Sequence, residues 1–175
     1  MKLELETIRL MLRPFQKEDA ETMFEGWASD PEVTKFLTWN PHENVEVTRQ
    51  LLAFWEKEYE KPERLNFAIV LKENKRLIGG IDVVGYPEGI PEIGYCLSRT
   101  YWNHGYMSEA CRALLDYLFA QGYPEVAINA AEENIGSNRV IQKCGGEKID
   151  EEWKEYPNKG KRFKICHYLV KAPRP

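Results

Sequence analysis

Apolar and polar positions change their period along this chain. In "TIRLMLRP", residues 7–14, Ile8, Leu10 and Leu12 alternate with Arg9, Met11 and Arg13. That period of two predicts a half-buried strand, which Pro14 ends. "QKEDAETMFEGWASD", residues 16–30, shifts to helical spacing through Ala20, Met23, Phe24 and Trp27, with acidic residues crowding its first turns. "DPEVTKFL" predicts a short helix capped by Asp30 with Pro31 at its first position. "NVEVTRQLLAFWEKEYE" predicts a longer one with Val47, Leu51, Leu52 and Trp55 on one face. From Pro62 the period returns to two. "RLNFAIVL", "RLIGGIDVVGY" and "PEIGYCL" read as three strands, separated by the turn stretches "KENK" and "PEGIP".

Next comes a helix, "SEACRALLDYLFAQGY", whose stripe is Cys111, Leu114, Leu115 and Leu118. Gly122 sits at its C-terminal cap and Pro124 follows. "PEVAINAA" is a strand, "NIGSNRVIQKCGG" a short helix ending at Gly145, and "EKIDEEWKEY" and "KRFKICHYLV" are strands around the turn "PNKG". The strand–helix–strand unit favours parallel neighbours through a right-handed crossover, while the short connections before it favour antiparallel ones. The expectation is an α/β (α+β) fold: a mixed, mostly antiparallel seven-stranded sheet with helices on both faces.

The length of 175 residues suits one domain spanning 1–175. Hydrophobic residues at 43% and charged residues at 30% describe a folding chain rather than a disordered one. A net charge of −4 argues against nucleic acid as a direct partner, because phosphate neutralisation needs a basic face. No stretch has the apolar run of a signal peptide or a membrane span. Cys96, Cys111, Cys144 and Cys166 form no C-x-x-C pair and match no zinc spacing. The expectation is therefore a cytoplasmic protein with no metal, no membrane partner, and a monomeric or homodimeric state.

The stretch "YWNHGYMSEA", Tyr101–Ala110, joins a strand to a helix beginning near Ser108. A strand-to-helix turn exposes unpaired N–H groups, the helix dipole favours an anion there, and Gly105 lets one approach the backbone. On these residues alone, a phosphate site from His104 to Ser108 and a simple helix cap both remain open. No Walker-type or dinucleotide glycine motif is present.

The longer unit "EIGYCLSRTYWNHGYMSEACRALLDYLFAQGYPEVAINAAEENIGSNRVIQKCGG" resembles the GNAT superfamily of acetyl-CoA-dependent N-acetyltransferases. It looks most like the RimJ/RimL-like branch, which acetylates ribosomal-protein N termini. The matching positions are Ile93, Gly94 and Tyr95; Tyr101, Trp102, Gly105, Tyr106, Glu109 and Ala110; and Asn134, Ser137, Lys143 and Gly145. Asn103 stands where the branch has its first glycine, Met107 where it has glycine or alanine, Ser108 where it has threonine, and Gly146 where it has phenylalanine. Ile141 stands where many members carry the tyrosine that protonates the leaving thiolate.

The resemblance implies acetyl-CoA as cofactor and an amine as acceptor, a protein N terminus or a small molecule. It implies a pantetheine arm along "EIGYCL" at the main chain of Tyr95, Cys96 and Leu97. The pyrophosphate would lie on Asn103, His104, Gly105, Tyr106, Met107 and Ser108, with Asn134, Ser137 and Lys143 also reaching the cofactor. Glu92 is the expected base and Ser137 the expected thiolate acid. Asp82 and Glu155 are further carboxylate candidates, Asp82 facing either a cleft or solvent. Trp39 is expected in the acceptor cleft, while Phe54 and Trp55 are expected in the core. His42 and His167 read as surface or strand histidines, Cys144 as a small buried residue, and "NKGKRFK" as a solvated hairpin. A small-amine acetyltransferase and a non-catalytic acyl-CoA-binding module are the competing functions.

Overall fold

The computed structural model describes residues 2–174. The chain opens with a hairpin of β1 (Leu5–Glu6) and β2 (Leu10–Arg13). The expected first strand is thus shorter, because Thr7–Arg9 turns the corner. There the Thr7 N–H donates to the Leu10 carbonyl and the Leu10 N–H donates to Thr7 Oγ1, both at 2.9 Å. Ile8, expected inside, stands at the tip and is 92% exposed.

The helix expected over 16–30 changes tightness along its length. A 3₁₀ turn (Lys17–Asp19) leads into α1 (Ala20–Met23) and then a π turn (Phe24–Ala28). The Ser29 N–H and hydroxyl both donate to the Phe24 carbonyl, at 3.1 and 2.6 Å, and close the wide turn. Trp27 and Ala28 are buried there. Asp30 caps α2 (Pro31–Thr34) and Asn44 caps α3 (Val45–Glu58), each side chain accepting from N–H groups of the first turn. On α3, Leu52 faces the core as expected. Val47 is exposed, and the buried Thr48 takes the inward position with its hydroxyl 2.7 Å from His42 Nδ1. Phe54, expected in the core, is 56% exposed, whereas Trp55 packs beside Phe15.

The remaining elements are β3 (Asn66–Leu71), β4 (Leu77–Gly85), β5 (Glu92–Leu97), α4 (Tyr106–Ala120), β6 (Glu125–Ala131), α5 (Ile135–Lys143), β7 (Glu147–Tyr156) and β8 (Lys161–Lys171). Among the described residues, eight strands, one more than expected, form one sheet in the order β1-β2-β3-β4-β5-β6-β8-β7. Every neighbouring pair is antiparallel except β5–β6, which α4 connects.

β3 is buried at all six positions, because helices cover both of its faces. Phe67, Ile69 and Leu71 meet Leu114, Leu115 and Leu118 of α4 in the larger core, where α5 adds Ile141. Ala68 and Val70 face Met23, Trp27 and Leu52 on the other side. Burying an aliphatic side chain of this size contributes about 1.5–3 kcal/mol.

One ladder is incomplete. β5 and β6 pair only through Glu92–Ala127 and Ile93–Ile128, and past Ile93 they separate. The sheet therefore opens near its middle, at the edge where α4 begins. Among the described residues, no helix is long and apolar enough to cross a membrane.

Candidate active site

The separation of β5 from β6 leaves peptide groups without a strand partner. The Ser98 N–H donates to the Ile78 carbonyl at 2.8 Å. Alternation along the β4–β5 ladder therefore turns the main chain of Cys96 and Gly94 toward β4, and that of Tyr95 and Leu97 toward the gap. The Leu97 carbonyl accepts from the Trp102 indole N–H at 2.8 Å. The Tyr95 main chain and the Leu97 N–H remain for an extended ligand laid in as an added strand. Cys96, expected to contact such a ligand through its main chain, instead bonds toward β4. Burial pushes its thiol pKa up to about 12.

At the end of this gap lies the glycine turn. Asn103 has φ +65° and Gly105 φ +78°, so two left-handed residues flank His104 and curl the chain into the start of α4. The helix begins at Tyr106, two residues before the expected Ser108. Its first internal bond runs from the Glu109 N–H to the Gly105 carbonyl at 3.1 Å. The N–H groups of Tyr106, Met107 and Ser108 precede that bond and form the positive end of the helix dipole. Met107 and Ser108 are buried, so they contribute through the main chain.

His104 does not line the cleft. Its ring stacks on Tyr106 at 5.6 Å, and its carbonyl accepts from Arg9 Nη1 at 2.9 Å. Arg9 was not legible from the sequence as part of this turn. Its Nε lies 2.9 Å from Glu109 Oε1, and its guanidinium covers the Tyr106 ring at 4.3 Å. Burial alone would raise the Glu109 pKa, but hydrogen bonds from Thr7 and Arg9 outweigh it and hold the carboxyl below its usual range. The β1–β2 corner thus locks the turn.

A cleft of about 1450 Å³ continues from this turn through the gap to the opposite face of the sheet. On the α5 side, Asn134, Ser137 and Lys143 line it. Asn134 Oδ1 accepts from the Ser137 N–H at 3.3 Å, so this side chain caps α5. Ser137 Oγ lies 2.8 Å from the Tyr95 hydroxyl, and burial raises the Tyr95 pKa, which keeps the phenol protonated. Ile141 is wholly buried and beside Gly146; a Cβ on Gly146 would fall 2.4 Å from Ile141 Cγ2. A Cβ there would also lie 2.9 Å from the Ile141 carbonyl oxygen, so the close approach of this glycine to α5 excludes a side chain. Cys144 lies beside the buried Cys111, with its thiol 3.7 Å from the Ser108 carbonyl.

The opposite face carries the carboxylates. Glu92 accepts from Asn129 Nδ2 at 3.0 Å. Asn129 Oδ1 lies 2.9 Å from His167 Nδ1, and His167 Nε2 lies 3.2 Å from Glu152. Because the Asn129 amide nitrogen points at Glu92, its oxygen takes the proton of His167 Nδ1. His167, expected to be an unremarkable strand residue, is thereby joined to the candidate base. Asp82 faces the cleft rather than bulk solvent. Burial raises its pKa to about 6, opposed by Arg64, whose Nη2 is 3.7 Å away.

Glu155, the third carboxylate, lies outside the cleft, exposed on β7 near Arg162. Trp39 lines the mouth. The hairpin expected to be merely solvated holds that mouth in place. Asn158 Nδ2 donates to the Thr38 carbonyl at 2.9 Å, Lys159 Nζ to the Trp39 carbonyl at 3.1 Å, and the Tyr156 hydroxyl to the Phe36 carbonyl at 3.3 Å. Among the described residues, no group of three His, Cys, Asp or Glu side chains is placed to hold a metal ion.

An opened parallel pair, free main-chain groups on β5 and a concave N–H turn suit a ligand with an extended amide arm and a pyrophosphate. The family model for the acetyltransferase (GNAT) domain matches residues 9–147. The chain belongs to the GNAT acetyltransferase family. It is an acetyl-CoA-dependent N-acetyltransferase. The chain is 34% identical over 133 residues to the uncharacterized N-acetyltransferase p20 of Bacillus licheniformis, covering 75% of this chain and 72% of p20. The crystal structure of a GNAT-family acetyltransferase from Bacillus anthracis superposes with a TM-score of 0.84 at 28% identity, covering 97% of this chain and 98% of that one. At 16% identity, RimL, a ribosomal L7/L12 α-N-protein acetyltransferase, shares the fold with a TM-score of 0.82 over 98% of this chain and 96% of its own. The microcin C7 self-immunity acetyltransferase MccE, solved with acetyl-CoA and AMP, does so at 16% identity with a TM-score of 0.83 over 95% and 94%. These last two likenesses concern the fold alone.

Proposed function

We propose that residues 1–175 act as one N-acetyltransferase domain whose acceptor is the N-terminal amine of a protein, as the RimJ/RimL-like resemblance implies. The observation that carries this reading is the cleft that passes through the sheet. One end is the main-chain turn, and the other is a face bearing Asp82, Glu92 and Asn129, so a thioester and an amine approach from opposite sides. The N–H groups of Tyr106, Met107 and Ser108 hold the pyrophosphate. Tyr95 and Leu97 align the amide arm, with Asn103, Asn134 and Lys143 along its path.

Glu92 accepts the proton of the acceptor amine, directly or through water, its carboxylate steadied by Asn129. As the amine nitrogen bonds to the carbonyl carbon and the carbon–sulfur bond breaks, the leaving thiolate takes the proton of the Ser137 hydroxyl, which water in the cleft replaces, while the protonated Tyr95 hydroxyl holds Ser137 Oγ in place. Trp39 shapes the acceptor entrance. Four unpaired cysteines agree with a reducing, cytoplasmic setting. The acidic face also favours a second reading, in which the acceptor is a small cationic amine such as a polyamine.

Thermal melting with acetyl-CoA, and with ATP and NAD as controls, tests the cofactor end. A ligand at about a hundred times its Kd adds roughly 2.7 kcal/mol, about 5–10 °C at this size. A shift with acetyl-CoA alone supports the site, and none at saturation overturns it. Thiol release with N-terminal peptides against polyamines then separates the two acceptors. Glu92→Gln should lower kcat about a hundredfold with acetyl-CoA affinity retained. A wild-type rate across the pH range removes Glu92 as the base.

A further inference from the structure

A row of polar positions crosses the acceptor face perpendicular to the strands. Asn66 on β3 is the cross-strand partner of Asp82 on β4, and Asp82 is the partner of Gly94 on β5. Continuing the β5–β6 register one residue past Ile93–Ile128 brings Gly94 level with Asn129, where the strands part. Asn129 is in turn the partner of His167 on β8. All five line the cleft.

Asn129 and His167 satisfy one another, but Asn66 stands apart. It is only 3% exposed, and its amide nitrogen is enclosed without a hydrogen-bond partner. Buried donors left unmet are rare, so a persistent one at a cleft wall points to a partner that arrives with the ligand. The neighbouring Arg64 Nε is also buried and unmet. Trp27 Nε1 and Thr34 Oγ1 are buried and unmet as well; Asn66 Nδ2 can only donate, so its missing partner is an acceptor oxygen. Gly94 keeps the lane from Asp82 to the gap clear, for a Cβ there would stand 3.7 Å from Asp82 Oδ1 and 2.8 Å from Val84 Cγ1.

We propose that Asn66 and Asp82 form the acceptor-reading subsite, selecting amines whose adjacent carbon bears a carbonyl, as in an amino-acid amide or a peptide N terminus. The ammonium lies against Asp82 and, with the Asn66 amide turned into the cleft, the carbonyl oxygen accepts from its Nδ2. Directly opposed side chains on neighbouring strands begin about 5 Å apart, close enough for one small ligand to touch both. A plain alkylamine or polyamine brings only donors beside its amine and leaves Asn66 unmet. This inference rests on acetyl transfer to amines in this cleft.

The test uses alaninamide, alaninol and isopropylamine, which share a carbon skeleton and differ in the oxygen beside the amine. Thiol release gives kcat/KM for each with wild type, Asn66→Ala and the volume-keeping Asn66→Leu. Comparing each variant with wild type cancels the differing basicity of the amines. Alaninamide should lose at least about tenfold relative to isopropylamine in both variants. An equal loss for all three makes Asn66 structural and overturns the proposal, and an alaninol loss matching that of alaninamide overturns the carbonyl assignment. If no amine is acetylated, the acetyl-transfer reading fails and this inference with it; acetylation without discrimination removes the subsite alone.

Discussion

Asp82 places a burial cost where a hydrophobic residue would add stability. Its carboxyl titrates near 6 in the folded protein against an ordinary 3.8. The native state therefore binds this proton more tightly than the unfolded chain does. The cost is absent below about pH 4, grows as pH rises through the folded value, and is complete above about 6. Asp82→Asn should leave stability unchanged at pH 4 and raise it at pH 8 by up to about 3 kcal/mol, the Arg64 attraction already being part of the shift. Urea unfolding at the two pH values checks this, and equal curves at pH 8 refute it. Wild-type kcat/KM should fall below about pH 6, and the same substitution should remove that fall, at a lower plateau. Gly105 is a second residue whose identity the backbone dictates. Its φ of +78° disfavours any side chain, and a Cβ there would lie 3.4 Å from Arg9 Nη2. Gly105→Val should cost about 1–2 kcal/mol in melting experiments and weaken acetyl-CoA binding by calorimetry at least tenfold. Unchanged affinity would exclude phosphate contact at the turn.

Among the elements, the β7–β8 hairpin braces the loop around Trp39 through its tip. Asn158 and Lys159 hold the main chain of Thr38 and Trp39, and burial lowers the Lys159 pKa. Asn158→Ala combined with Lys159→Met should raise the acceptor KM several-fold while acetyl-CoA affinity stays constant, since the turn at Gly105 lies across the sheet. A parallel loss of cofactor affinity would show that the hairpin supports the whole domain instead. The elements themselves were largely legible, because each obeys a local rule. Asp30 and Asn44 cap helices as their side chains dictate, and β6 alternates buried and half-buried positions as its sequence does. The opening hairpin escaped because Thr7 hides a turn inside an alternating pattern, which carried Ile8 outward.

For the molecule as a whole, the two ends of the site differed in legibility for a physical reason. The proposed cofactor end is a run of consecutive residues, Tyr101–Ala110, whose turn chemistry is local. The proposed acceptor end takes one polar residue from each of four strands: Asn66, Asp82, Asn129 and His167. Each stands alone in an apolar segment and reads as an isolated exception. Only the register of β3, β4, β6 and β8 aligns them. The clue was available, since a buried strand has little reason to carry a lone asparagine or aspartate, but its meaning required the sheet order. Arg9 escaped likewise, because its partner Glu109 lies a hundred positions away.

The short β5–β6 ladder has a mechanical consequence. Two residue pairs are a narrow flexure for a sheet of eight strands. Bending at that crease changes the width of the opening while every other ladder stays intact. Whatever is inserted beside Tyr95 and Leu97 completes the missing hydrogen bonds and stiffens the crease, so filling the site and bracing the sheet are one event.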